Sequence, residues 1–78
     1  MKRYEVTLDY CVGGESGTDT YRFNEQEKAL DKWAECCEIV DEIMAGRDSV
    51  ERVDEDDFYG IRDRQDDDYA RTYITEIR

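Results

Sequence analysis

The chain has 78 residues, 22 acidic and 11 basic with no histidine, for a formal net charge of −11 at neutral pH. That length holds one small domain over residues 1–78 with a modest core, burying about 60% of its unfolded surface, and the charge excludes direct binding of nucleic acid or anionic lipid while favouring a basic partner. No apolar run approaches the ~18 residues of a membrane span and MKRYEVTLDY lacks the apolar core of a signal peptide, so a soluble, cytoplasmic chain is expected.

Residues 3–12 alternate, with Tyr4, Val6, Leu8, Tyr10 and Val12 on one side and Arg3, Glu5, Thr7, Asp9 and Cys11 on the other, the pattern of a half-buried strand. Gly13 to Gly17 reads as a glycine-rich loop, and Thr18 to Phe23 as a second strand with Tyr21 and Phe23 pointing the same way, so the two form a hairpin. Asn24 to Gly46 reads as one long amphipathic helix. Asn24 and Glu27 suit a capping box, and Gly46 a left-handed stop. Leu30, Trp33, Cys37, Val40 and Met44 recur at three- and four-residue steps and form its expected core stripe.

Beyond the helix, Ser49–Asp54 and Phe58–Arg62 read as one bulged strand or two short ones, with Asp54, Glu55, Asp56 and Asp57 between them. The run Asp63 to Asp68 looks like the turn of another hairpin, and Tyr69–Ile77 closes the chain as a strand rich in aromatic and β-branched residues. Its inner set is either Tyr69, Tyr73 and Ile77 or Ala70, Thr72 and Ile74. The fold class is thus α+β: a ββαββ order with a small, mostly antiparallel sheet, the helix packed on one face and the other face wet. The charged fraction is high enough to raise disorder. Six tyrosines, two phenylalanines and one tryptophan, with apolar positions in regular register, argue for a core.

The acids fall in three groups. Glu27, Asp31, Glu35, Glu38 and Glu42 share one helix face and span about 22 Å at ~1.5 Å per residue, a charge density within about a factor of two of a nucleic-acid strand. Glu27/Asp31, Asp31/Glu35 and Glu38/Glu42 are like-charge pairs, each costing the helix about 0.2–0.5 kcal/mol. A face serving solubility alone would more often interleave both signs. Asp54, Glu55, Asp56 and Asp57 form the second group, and Asp66, Asp67 and Asp68 the third. Tyr59 and Tyr69, with Tyr73, are candidate interface anchors within the acidic field.

Other chemistries are poorly served. A calcium loop begun at Asp54 would place Phe58 and Tyr59 where a ligand and a glycine are needed, so no metal site is assigned. Without histidine there is no imidazole base, no phosphate-cradling glycine loop is present, and no cofactor is called for; the expectation is a protein that is not an enzyme. Cys36 and Cys37 are adjacent on the helix and read as reduced packing residues, as does Trp33.

A compact, very acidic chain with a small sheet, one helix, and the runs DEDD at Asp54–Asp57 and DDD at Asp66–Asp68 resembles the phage-encoded inhibitors that mimic nucleic acid, among them anti-CRISPR and anti-restriction proteins. The resemblance covers the whole chain at the level of class. Such inhibitors share no common motif, so it implies a mode of action in place of particular residues: blocking the basic nucleic-acid-binding surface of a host defence complex, in the host cytoplasm. The alternative is an adaptor or antitoxin-like binding module that uses a sheet edge and exposed tyrosines.

Overall fold

The computed structural model describes residues 2–77. Five strands and one helix follow in the order β1 (Arg3–Val12), β2 (Glu15–Phe23), α1 (Gln26–Ile43), β3 (Val50–Asp54), β4 (Phe58–Asp63) and β5 (Tyr69–Ile77). The strands make one antiparallel sheet, ordered β2-β1-β5-β4-β3 in space. The fold is α+β, with one strand more than the expected ββαββ because the segment after the helix splits into the two strands of a hairpin.

Gly13 and Gly14 both have positive φ, 61° and 85°, the backbone that a two-residue hairpin turn matched to strand twist requires. The turn is therefore tighter than the loop read from the sequence, and β2 starts at Glu15. Gly17 stands opposite Tyr10. A Cβ at Gly17 would lie 2.6 Å from the tyrosine hydroxyl, so any side chain there would displace the ring.

Alternation along the paired strands divides the sheet into two faces. Toward the helix point Val6 and Leu8 of β1, Tyr59 and Ile61 of β4, and Ala70, Thr72 and Ile74 of β5, which settles the inner set of the last strand. The helix packs mainly on the central strands β1 and β5 and leaves the edge strand β3 uncovered.

The helix starts at Gln26, after Glu25 in extended conformation, with no side-chain cap bond. The Asn24/Glu27 capping box does not form, because Asn24 and Glu25 carry the chain from the end of β2 over onto the sheet. Gly46 takes positive φ, 77°, just past the helix end, as its residue type implied.

The core stripe is also rotated from the expected one. Ala29, Cys36, Val40 and Met44 are buried, whereas Leu30 is 42% exposed and Cys37 only partly covered. The small side chains Ala29 and Cys36 are fully enclosed where the helix meets the sheet. Trp33 sits at the edge of this stripe and donates its indole N–H to the Thr72 carbonyl at 3.3 Å. Beneath it the Thr72 hydroxyl donates to the Thr7 carbonyl at 2.8 Å, so the polar groups at the centre of the core are paired.

Candidate functional site

With 100° per residue, the buried stripe fixes what the rest of the helix does. Glu27, Asp31, Glu38 and Glu42 lie within about 60° of one another and diametrically opposite Ala29, Cys36 and Val40, with Glu35 at their border. All five are exposed, so the predicted acid ridge points straight away from the sheet. Lys32 leans off this ridge onto β2, with its ammonium 4.3 Å from the centre of the Tyr21 ring and 3.3 Å from Glu35. The hydrogen bond to Glu35 raises the Lys32 pKa. Lys28 reaches back to Glu25 at 3.9 Å. Among the described residues, Glu27, Asp31, Glu38 and Glu42 have no ion-pair partner within 4.0 Å.

The two acidic loops differ from each other. Asp54 to Asp57 forms the β3–β4 turn, held by backbone bonds from Glu55 N–H to the Phe58 carbonyl (2.8 Å) and from Ile74 N–H to the Asp57 carbonyl (3.0 Å). Its four carboxylates are exposed and, among the described residues, make no ion pair. The turn adjoins the helix flank. Tyr59, opposite Asp54 at the base of the turn, reaches Asp41 on the helix, and burial, then the charges of Cys36, Asp41 and Asp54, push the Cys37 thiol up to about 11.

The β4–β5 turn is built around a cation. Arg47, in the segment after the helix, directs Nη1 to Asp63 at 2.8 Å, to Asp68 at 3.0 Å and to Asp66 at 3.7 Å. Asp63 is buried and also accepts from Gln65 N–H at 2.8 Å; the Arg47 hydrogen bond first, then this backbone bond, lowers its pKa. Asp68 accepts from Gly13 N–H at 3.3 Å, which brings the β1–β2 turn into the same cluster. Its side chain is 14% exposed against 84% for Asp67, which has positive φ (57°) and turns outward toward Arg62.

Asp68 is thus held largely within the fold by Arg47 and Gly13, whereas Asp66, 68% exposed and 3.7 Å from Arg47, stays on the surface with Asp67. The guanidinium takes the place a metal ion would need, and among the described residues no group of three or more metal-ligating side chains is assembled. The acidic loops also lie at opposite ends of β4 and do not merge into one patch.

Tyr59, expected as an interface anchor, is corrected. It is 8% exposed, on the helix side of the sheet, where its hydroxyl donates to Asp41; burial and then this bond raise its pKa to about 12. Tyr69 and Tyr73 do lie on the open face of the sheet, half-buried. Phe58 stacks with Tyr73 at a ring separation of 6.3 Å, and Arg71 lies 5.0 Å from the centre of the Tyr69 ring. A shallow groove of about 670 Å³ runs between them over Gly60, with Val53 and Arg62 among its walls.

Several charges of this open face are paired within the chain: Arg71 with Asp9 at 2.6 Å, Arg22 with Glu5 at 3.2 Å, Arg62 with Asp67 at 3.5 Å, and Glu51 with Arg64. Sequence reasoning missed this feature, although the period-two alternation of β1 already set Glu5 and Asp9 on the side away from the core. Arg47 was missed for a different reason: nothing local marks a basic residue beside a glycine as the centre of a cluster that closes across sixteen residues to Asp63.

No protein-family model, curated protein or solved structure matches this chain. No helix is long and apolar enough to cross a membrane among the described residues.

Proposed function

We propose that the protein is a non-enzymatic inhibitor that docks its acidic helix ridge and the adjoining Asp54–Asp57 turn onto the basic nucleic-acid-binding surface of another protein, in the manner of the phage-encoded nucleic-acid mimics. The observation that carries this reading is the division among the acids. Those of the β4–β5 turn are gathered around Arg47 or paired with Arg62, while Glu27, Asp31, Glu38 and Glu42, among the described residues, stand without an ion-pair partner on the helix face turned furthest from the core. Leaving like charges at four-residue spacing costs the helix about 0.2–0.5 kcal/mol per pair. An arginine- or lysine-rich groove would relieve that repulsion on binding and attract the chain from a distance, with an on-rate that falls as salt rises.

The test replaces the ridge with amides, E27Q/D31N/E38Q/E42Q. Wild type and variant are used to capture partners from a bacterial lysate at low and moderate salt, and the captured protein is assayed for nucleic-acid binding with and without the chain. The expected result is a partner whose nucleic acid the wild type displaces, at an affinity at least about tenfold (about 1.4 kcal/mol) above that of the variant. The variant should melt higher than the wild type, because like-charge pairs are relieved, which separates lost binding from lost folding. Affinity unchanged within about threefold would sink the proposal.

A further inference from the structure

The face of the sheet away from the helix is open, and its chemistry is the reverse of the ridge. Val53 and Ile77, two of the three large apolar side chains exposed among the described residues, alternate onto it with the stacked Phe58 and Tyr73, Ile77 at the far end of β5. Arg22–Glu5, Arg62–Asp67 and Arg71–Asp9 are ion pairs on it. A patch whose charges are mostly paired offers little to a strongly charged partner, whether nucleic acid or a basic groove. In a chain of net charge −11 it is also the surface across which two copies approach with least repulsion. The acid ridges then lie behind both sheets, beyond the ~8 Å over which charge is felt at physiological salt.

We infer that the open sheet face is a homodimer interface, at which two copies stack sheet on sheet about a twofold axis. A twofold interface has to be its own complement, and a face of aromatic side chains crossed by alternating arginine–carboxylate pairs meets that requirement. The size also suffices. Five strands at ~4.8 Å spacing and ~3.3 Å per residue present roughly 600 Å². Two such faces bury about 1,200 Å², above the ~1,000 Å² that a specific interface needs. The Arg22–Glu5 and Arg71–Asp9 pairs cross β2, β1 and β5, and the Phe58–Tyr73 stack with Val53 covers β5, β4 and β3. This inference is independent of the ridge proposal and predicts the opposite salt dependence, since salt screens the repulsion between two acidic chains.

Sedimentation equilibrium of the purified chain at low and high salt tests it. The expected result is a dimer at tens of micromolar (about 10⁻⁵ M) that tightens as salt is raised. The double variant V53E/I77E, altered only at exposed positions, should be monomeric under the same conditions with an unchanged circular-dichroism spectrum and melting curve. The ridge amide variant should remain dimeric. A wild type that stays monomeric to about 1 mM in high salt overturns the inference. So does a dimer that survives V53E/I77E, or a monomer whose open face takes up a different protein or a single-stranded nucleic acid.

Discussion

The chain carries two short acid runs, DEDD in the β3–β4 turn and DDD in the β4–β5 turn, which look alike as sequence and differ in the fold. The second is organised by Arg47, which holds Asp63, Asp66 and Asp68 and through Asp68 reaches Gly13. The first, among the described residues, makes no ion pair and is held by backbone bonds. What a carboxylate does is thus decided by whether the topology delivers a positive charge to it, and local composition carries almost no information about that.

The largest effect should come from removing the cation. Arg47→Gln leaves the buried Asp63 without its charged partner, and breaking such a pair from one side is strongly destabilising. Its melting midpoint should fall by several degrees, further than for any change in the β3–β4 turn; an unaltered midpoint would mean the arginine organises nothing.

Asp63→Asn should be milder and should show its origin in its pH dependence. The Asp63 carboxyl is held below the usual carboxylate range, so its stabilising contribution is complete above about pH 4–5 and is lost as pH falls through the lowered value. Urea midpoints of wild type and variant should differ at pH 7 and draw together as pH falls below the usual carboxylate range; a gap that stays constant would rule out the charge as its cause.

Next in size is Tyr59→Phe, which removes the hydroxyl bond to Asp41 beside the unpaired turn. A loss of about 1 kcal/mol in unfolding free energy is expected, as for one hydrogen bond. Smallest is Asp56→Asn with Asp57→Asn, which should change stability by no more than about 0.5 kcal/mol. Those same amides should weaken capture of a basic partner, whereas Asp66→Asn should leave capture unaffected. If Asp66→Asn weakened it as much, the distinction between the two runs would fail.

Much of the fold could be read from the residues. The alternation of β1, its hairpin with β2 across a glycine-rich turn, the helix with Gly46 at its end and the β-branched last strand all depend on local period and backbone chemistry. Reading failed where neighbours across the chain decide the outcome. Val40 and Met44 of the expected helix stripe are buried, but its first half was misplaced by one position because Leu30 and Ala29 both suit an apolar face, and only packing on β1 and β5 selects the smaller. Tyr59 reads as a surface tyrosine in an acid-rich stretch, yet its place opposite Thr72 in β5 turns it under the helix. The acid ridge was legible because a helix fixes relative angles by itself. The Arg47 cluster and the paired charges of the open face were not, since each joins strands that are remote in sequence.

The central place of β1 and β5 has a consequence for how the molecule is made. They are neighbours in the middle of the sheet, with Leu8 beside Thr72, though some sixty residues separate them along the chain. During synthesis the first hairpin and the helix emerge long before the strand that completes their core, and they must wait with Val6, Leu8 and Cys36 uncovered. Non-local pairing of this kind makes for slow folding, and exposed apolar surface in the interval is where chains stick to one another. A high density of like charge keeps nascent copies apart during that wait, so the acids that shape the finished surface also protect the unfinished one.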